Sequence, residues 1–309
     1  MLPKTDIWRI GLLQRPTADI FADGSIAGLV PTWMPAGRPF TYLADPFAIR
    51  RDDRLYLFAE TYDYRTRIGG IDVLTLDNDF NMLDHRPCLR QPWHLSYPFL
   101  IESGGETYML PEAHKSGDLL LYRATRFPFG WEAVASIPLD SPAIDPSPIF
   151  FEGYWWMFYA PSTDLAARMG VMHVAFAEHL TGPWRPHPLN PLRRDMAGAR
   201  PGGTPVVVDG KLIVPLQDCS QTYGGAVKLL KIERLTPSAF EADICATISA
   251  PASFAPYIEG LHTLSHCGDL TFFDAKRISR SPRKWAINVA RAPILARKVL
   301  RKSRFYTKE

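Results

Sequence analysis

The sequence has few cysteines, no long apolar run and none of the short spacings that hold metals. Its four cysteines (Cys88, Cys219, Cys245 and Cys267) are far apart and form no CxxC pair, which argues against a zinc site and against a disulfide framework. No run reaches the length of a membrane span, and the N-terminal residues lack the apolar core of a signal peptide. We therefore expect a cytoplasmic protein with free thiols, no metal and no cofactor.

The charge of the chain is unevenly distributed. The net charge of +3 combines a tail over 276–309, with twelve Lys/Arg and one acid, and a remainder with 23 basic and 31 acidic residues. An acidic body argues against an extended nucleic-acid footprint, so we expect no nucleic-acid partner. The 28 prolines and 21 glycines are spread along the chain, which favours many turns and short strands over long helices.

One hairpin pattern, an apolar strand, a tight polar turn and a second aromatic-rich strand, occurs five times. The copies begin at Asp45, Tyr97, Asp145, Gly203 and Glu259. Their turn residues are Asp53, Gly105, Gly153, Gly210 and Gly268, at separations of 52, 48, 57 and 58 positions. A period near fifty is typical of a four-stranded propeller blade.

The repeats predict an all-β, five-bladed β-propeller over 1–277, followed by a basic tail over 278–309. The first repeat shows four strands, over 45–49, 54–60, 70–76 and 82–89. The fifth lacks outer strands because the sequence turns basic after Phe273. We expect the apolar N-terminal stretch 7–13 to complete that blade and remove an exposed edge. A β-sandwich with coincidental spacing is the alternative.

The innermost strand of each blade lines the channel of a propeller, so the residues that start these strands should converge. Those residues are Asp45, Tyr97, Asp145, Arg200 and Glu259, with His262 close behind the last. Chemistry at a glycosidic bond needs one carboxylate to activate a nucleophile and one acid to protonate the leaving group. An Asp-Pro pair is also a common strand-start device, so a structural role is the alternative for each aspartate.

A second set of polar residues ends the second strands: Glu60, Glu112 and the pair Gln217–Asp218. A rim of such groups can hold a hydroxyl-rich ligand. The residues predicted to bind substrate are Glu60, Tyr97, His94, Arg200, Gln217, Asp218, Tyr223 and His262. Trp33 and Trp93 precede the first two innermost strands and are candidates for stacking on sugars, although a single tryptophan more often packs in a core.

Several of these segments resemble known propellers. Ala44-Asp45-Pro46-Phe47 and the second Asp-Pro pair resemble the five-bladed glycoside hydrolases of family 43. A closer resemblance is to the N-terminal propeller domain of plant glucosamine inositolphosphorylceramide transferases and its bacterial relatives. It rests on the motifs 44–47, 96–99, 110–112, 217–220 with Tyr223-Gly224, and 260–263.

The hydrolase resemblance implies a general base at Asp45 and an orienting aspartate at Asp145. The hydrolases carry their general acid, a glutamate, at the start of a later blade, where this sequence has Arg200. Glu259 and Glu112 are therefore the candidate acids. An arginine at that place suits an anionic group, such as a phosphate, a uronate or the diphosphate of a sugar nucleotide.

The basic tail is predicted to contain a short helix over 293–302, with Pro293 in its first turn and its apolar and basic residues on opposite sides. Residues 283–304 could anchor the protein on an anionic membrane surface, the inner face of the membrane. A solvated tail is the alternative.

Three functions remain open on the sequence. The leading one is glycosyl transfer in surface glycan or glycolipid assembly, with a saccharide or glycolipid substrate and a sugar nucleotide as a candidate donor. The absence of a GxGxxG loop and of a DxD motif means that such a donor site would be unconventional. The alternatives are an intracellular glycoside hydrolase of family 43-like type and a non-catalytic sugar-binding propeller.

Overall fold

A computed structural model describes residues 4–306 of the chain, with side chains to residue 294. It confirms the five-bladed propeller: five antiparallel sheets follow one another around a ring. Three helices, one of them at the C-terminal end, accompany the sheets.

The elements of the ring follow in chain order. The N-terminal part contains β1 Lys4–Leu13, α1 Thr17–Asp23 and β2 Thr32–Trp33. The first blade is β3 Thr41–Arg51, β4 Arg54–Asp63, β5 Ile68–Leu76 and β6 Met82–Leu89. The second blade is β7 Ser96–Ser103, β8 Glu106–Glu112, β9 Leu119–Arg126 and β10 Gly130–Ile137.

The third blade is less regular, and a short helix is inserted in it. It consists of β11 Ala143–Phe151, β12 Tyr154–Pro161, α2 Leu165–Gly170, β13 Val171–Ala177, β14 Arg185–Pro186 and β15 Arg193–Arg194. The fourth blade is β16 Arg200–Pro201, β17 Val206–Val208, β18 Lys211–Asp218, β19 Ala226–Thr236 and β20 Ala239–Ile248. A 3₁₀ turn, Ala252–Phe254, leads to β21 Leu261–Cys267, β22 Leu270–Arg280 and α3 Arg283–Tyr306.

The N-terminal strand closes the ring, as predicted. The fifth sheet has the order β2-β1-β22-β21, and β1 pairs antiparallel with β22, with Ile7 opposite Arg277 and Leu13 opposite Thr271. The two ends of the chain therefore share one blade, and neither strand is left with an unpaired inner edge.

The core lies between neighbouring blades. Leu57 and Phe58 are consecutive residues of β4 and point to opposite faces of the sheet, yet both are fully buried. This is expected for a strand that has a neighbouring blade on each face, and it explains why the middle of β4 is apolar on both faces.

The C-terminal helix differs from its prediction. It begins at Arg283, just after Pro282, and contains Pro293 in its interior, so the expectation of a start at Pro293 is wrong. The prediction placed Pro293 in a first turn because that is where a proline fits best, but the helix starts earlier, where β22 ends. In the described part of the chain, no helix has both the length and the apolar character needed to cross a membrane.

Candidate active site at the centre of the ring

Three innermost strands start with the same strained backbone. Asp45, Tyr97 and Asp145 have φ of 51°, 46° and 48°, and at each of them the pairing with the next strand skips two residues. A left-handed conformation is costly for residues other than glycine and persists where surrounding structure imposes it. The repeat position recognised in the sequence is thus a structural equivalence in the first three blades.

A cavity of about 670 Å³ opens at these strand starts. The predicted site residues that line it are Asp45, Glu60, His94, Glu112, Arg200 and Tyr223. Others that line it, which the sequence reasoning did not single out, are Lys4, Asp6, Trp8, Tyr42, Tyr62, Tyr64, Arg67, Ser96, His114, Leu165, Arg168, Met169, Lys284, Ile287, Asn288 and Arg291. The wall is mixed, with apolar as well as polar side chains, and carries charges of both signs.

Asp45 is held from several sides at the inner end of this cavity. Its Oδ2 accepts the Tyr97 N–H at 3.2 Å, its Oδ1 accepts the Thr263 hydroxyl at 3.3 Å, and His262 Nε2 is 3.4 Å from Oδ1. Burial raises the pKa of Asp45 from 3.8 to about 7; His262 opposes this rise and Asp274 adds to it. The Asp45 carboxyl group can therefore exchange a proton near neutral pH.

Glu60 is a buried carboxyl group without a hydrogen bond. Its Oε1 has no hydrogen-bond partner among the described residues, and His94 Nε2 is 3.6 Å away from it. The strand beside it carries Gly69, where a Cβ would collide with Glu60 Oε1, so glycine permits this close approach. Burial raises the pKa of Glu60 well above its usual value, and Asp45 adds to the rise, so its surroundings favour the protonated form of the carboxyl group.

Glu112 has the opposite protonation state. His114 Nδ1 hydrogen-bonds to its Oε1 at 2.5 Å. Burial opposes ionisation, but the hydrogen bond and charge of His114 outweigh it and lower the pKa of Glu112 to about 2. Burial lowers the pKa of His94 to about 4, so His94 is neutral, and its Nδ1 accepts the Gly69 N–H at 2.8 Å.

Arg200 is tied into a buried network. Its Nε donates to Asp145 Oδ2 at 2.7 Å, and Gln217 Nε2 donates to the same oxygen at 2.7 Å. Only one of these residues, Arg200, lines the cavity, and its guanidinium also lies over the Tyr223 ring at 5.0 Å. Asp145 thus neutralises the charge that the sequence reasoning assigned to an anionic ligand.

The sequence profile of the family described as "Glucosamine inositolphosphorylceramide transferase 1, N-terminal" matches residues 30–254. The chain belongs to this family. Glucosamine inositolphosphorylceramide transferase 1 of Oryza sativa subsp. indica is 39% identical over 209 residues, which cover 66% of this chain and 28% of that protein. Its Arabidopsis thaliana counterpart is 35% identical over 205 residues, covering 65% and 27%. The chain spans little more than a quarter of these relatives.

Solved structures share the fold at low identity. A family 117 glycoside hydrolase from Zobellia galactanivorans superposes with a TM-score of 0.55 and 15% identity, covering 79% of this chain and 88% of that one. An α-L-arabinofuranosidase from Podospora anserina superposes with a TM-score of 0.56 and 10% identity, covering 79% and 93%. These likenesses support the propeller architecture.

In this family member, some predicted binding residues lie beneath the cavity. The Tyr97 hydroxyl is hydrogen-bonded to Ser147 Oγ at 2.8 Å and to Gly203 N and O, and the ring is fully buried. It therefore joins the second, third and fourth blades across the ring. His262 is also buried, with its Nδ1 2.5 Å from Asp274 Oδ1. Tyr97 and His262 position the site and do not line it.

Glu259 and Asp218 lie outside the cavity. Glu259 precedes β21, and its Oε2 accepts the Ile278 N–H, so the prediction that it starts the innermost strand is wrong. The pairing shift in the fifth blade occurs at His262, between Leu261 and Thr263. The hairpin pattern marks Glu259, three residues before His262, because this blade lacks the Asp-Pro pair that marks the equivalent position in the first and third blades. Asp218 Oδ1 accepts the Ser220 hydroxyl in its own loop.

The aromatic wall of the cavity is made of tyrosines. Tyr42 and Tyr62 are stacked with ring centroids 5.0 Å apart, and Tyr64 meets Tyr62 edge-on at 5.6 Å. The expected stacking residues pack in the core: Trp33 lies against Phe254, Tyr257 and Phe273, and Trp93 joins the cluster between the first two blades. In the sequence, the alternation of Tyr62 and Tyr64 directly after Glu60 is the pattern that indicates this wall.

One group of side chains has metal-binding composition. Asp45, His262 and Asp274 are buried, and one ligand atom from each lies within 4.8 Å of the others. Hydrogen bonds already join them, since Asp274 Oδ2 accepts the Asp45 N–H and Asp274 Oδ1 contacts His262 Nδ1. Asp274 and His262 thus hold Asp45 in place through hydrogen bonds among protein groups.

Proposed function

We propose that this cavity is the active site of a carbohydrate-active enzyme that acts at a glycosidic bond, with transfer of the sugar to an acceptor hydroxyl as its reaction. The observation that carries the proposal is the buried carboxyl group of Glu60, whose Oε1 has no hydrogen-bond partner among the described residues, in the same cavity as Asp45. Two carboxyl groups whose environments separate their protonation states are the pattern of general acid and general base. The names of the relatives and of the fold neighbours support sugar chemistry.

The proposed roles follow from the protonation states. Glu60 donates its proton to the oxygen of the departing group, because burial favours its protonated form and no other described residue hydrogen-bonds to its Oε1. Asp45 accepts the proton of the acceptor hydroxyl once it is ionised, near its pKa of about 7. This assigns the acid to Glu60, which the sequence reasoning placed among the binding residues. Glu112 stays ionised and hydrogen-bonds sugar hydroxyls.

The test is an activity assay with sugar nucleotides as donors and glycolipids or free saccharides as acceptors. Glu60→Gln should lower turnover by at least about 100-fold while sugar affinity is retained. Glu106→Gln, at an exposed position of the same strand type, is the matched control and should leave turnover unchanged. Unchanged turnover in Glu60→Gln would refute the assignment of the acid.

The products distinguish the remaining functions. Transfer requires a new glycoside on the acceptor, whereas release of free sugar would identify a hydrolase. Saturable sugar binding with no turnover of any substrate would identify a sugar-binding propeller and overturn the enzymatic proposal.

We also propose that α3 places the cavity against an anionic membrane at the cytoplasmic face. Trp285 and Val289 lie one turn apart on α3 and are 55% and 75% exposed, so this side of the helix offers an apolar contact beside the basic charges of the tail. Trp285 fluorescence should shift to shorter wavelength with anionic vesicles at low salt, and not with neutral vesicles. No binding to anionic vesicles, or binding that is unaffected by salt, would contradict this.

A further inference from the structure

The charges that line the cavity differ between its inner and outer parts. The inner acids Asp45, Glu60 and Glu112 are 6%, 5% and 3% exposed. The cations that line the same cavity apart from Arg200 are half-buried or exposed: Lys4, Arg67, Arg168, Lys284 and Arg291. A ligand that enters therefore passes a basic mouth before it reaches an acidic interior.

Two helices supply three of these cations: Arg168 comes from α2, and Lys284 and Arg291 come from α3. Asp164 caps the start of α2 by accepting the Ala167 N–H at 2.8 Å, and this helix presents Leu165, Arg168 and Met169 to the cavity. Residues one turn apart share a helix face, which explains why Arg168 points where Leu165 and Met169 do. The capped turn thus gives Arg168 a defined position.

The helix α3 contributes a second cationic face. Lys284, Ile287, Asn288 and Arg291 line the cavity, and their spacing of three and four residues places them on one side of the helix. Ile287 is the buried contact of this face, at 6% exposure. The helix therefore covers part of the mouth, with Lys284 and Arg291 on either side of an apolar anchor.

The cations at the mouth are not neutralised by the protein. Arg67, Arg168, Lys284 and Arg291 form no ion pair with any residue that the structure describes, although acids line the same cavity. Arg168 Nε and Arg291 Nε are buried and have no hydrogen-bond partner within the described chain. An anionic ligand bound at these guanidinium groups would supply the charge partner that the described residues do not provide.

We propose that the mouth binds a phosphate group through Arg168 and Arg291, with Arg67 and Lys284 adding charge, so that the substrate carries a phosphate ester beside its sugar. Arginine donors from separate elements suit a group with several charged oxygens, and a guanidinium binds phosphate through paired N–H groups. This inference rests on the proposed function, which supplies the sugar part of the substrate. The proposed anion site does not include Arg200, because Asp145 neutralises the charge of that residue.

Direct binding tests the site without turnover. Calorimetric titration with UDP and with a soluble glycerophosphodiester probes the two sources of such a phosphate, a sugar nucleotide and a lipid headgroup. We expect at least one to bind, and the Arg168→Gln/Arg291→Gln double variant to weaken that binding at least tenfold. Arg185→Gln, an exposed arginine of the third blade, is the control and should bind like the parent protein.

The outcomes separate this inference from the proposed function. Binding of UDP alone supports a nucleotide source, and binding of the phosphodiester alone supports a lipid source. Failure of both probes, or unchanged binding by the double variant with a native thermal midpoint, overturns the phosphate site. Tighter binding of glucuronate than of either phosphate compound also overturns it. Glu60→Gln should keep the phosphate affinity, so loss of turnover in that variant bears only on the proposed acid.

Discussion

The raised pKa of Asp45 makes a prediction about stability that does not depend on knowing the substrate. Its carboxyl group has a pKa of 3.8 in an unfolded chain and about 7 in the fold. Because the folded value is the higher, the folded protein binds the proton more tightly, and ionisation destabilises it as the pH rises from 3.8 towards 7. At about 1.36 kcal/mol per pH unit, the full penalty above that range is about 4 kcal/mol.

Asp45→Asn removes this ionisation, so the free energy of unfolding of the variant relative to the parent should rise by roughly 2–3 kcal/mol between pH 5 and pH 8. Urea denaturation of both proteins at several pH values measures the difference. Asp77→Asn is the control: hydrogen bonds from Asn81 hold the pKa of Asp77 below its usual value, so its difference should be flat over that range. A flat difference for Asp45→Asn as well would refute the burial argument.

Three further predictions concern the ring and its supports. Tyr97→Phe should lower the free energy of unfolding by about 1–3 kcal/mol in urea denaturation, because the buried N–H of Gly203 loses its acceptor. Tyr122→Phe, which removes one long hydrogen bond of 3.5 Å, should change it little. Gly203→Ala should fail to fold or lose several degrees in thermal midpoint, because its φ is 134° and a Cβ would collide with Leu264 of the next blade. Gly268→Ala, where φ is also positive at 59° but no atom obstructs a Cβ, should lose less; equal midpoints for the two variants would contradict this. Glu112→Gln should have a lower free energy of unfolding than the parent at pH 6. This difference should shrink by about 2 kcal/mol towards pH 3, because the stability that comes from a lowered pKa is lost as the group is protonated. A difference that stays constant with pH would contradict this.

The architecture was predictable from the sequence because its signals are local. Each hairpin carries its own apolar alternation and turn, and five copies near a fifty-residue period indicate the ring before any contact is known. The same reasoning placed Asp45, Arg200 and Glu112 correctly at the cavity, because their positions follow from where strands begin and end.

Protonation states, offsets between blades and the course of the tail depended on tertiary structure. The pKa of Glu60 is raised because neighbouring strands and blades bury its carboxyl group, and no property of its own hairpin reveals this. His262 replaces Glu259 at the fifth strand start because a bulge shifts the register by residues that the hairpin pattern does not mark. Lys284 and Arg291 of α3 line the same cavity as Arg168 because this helix follows directly after the last strand, β22. Sequence determined which residues stand near the centre of the ring, and folding decided which of them touch the cavity and which carry a proton.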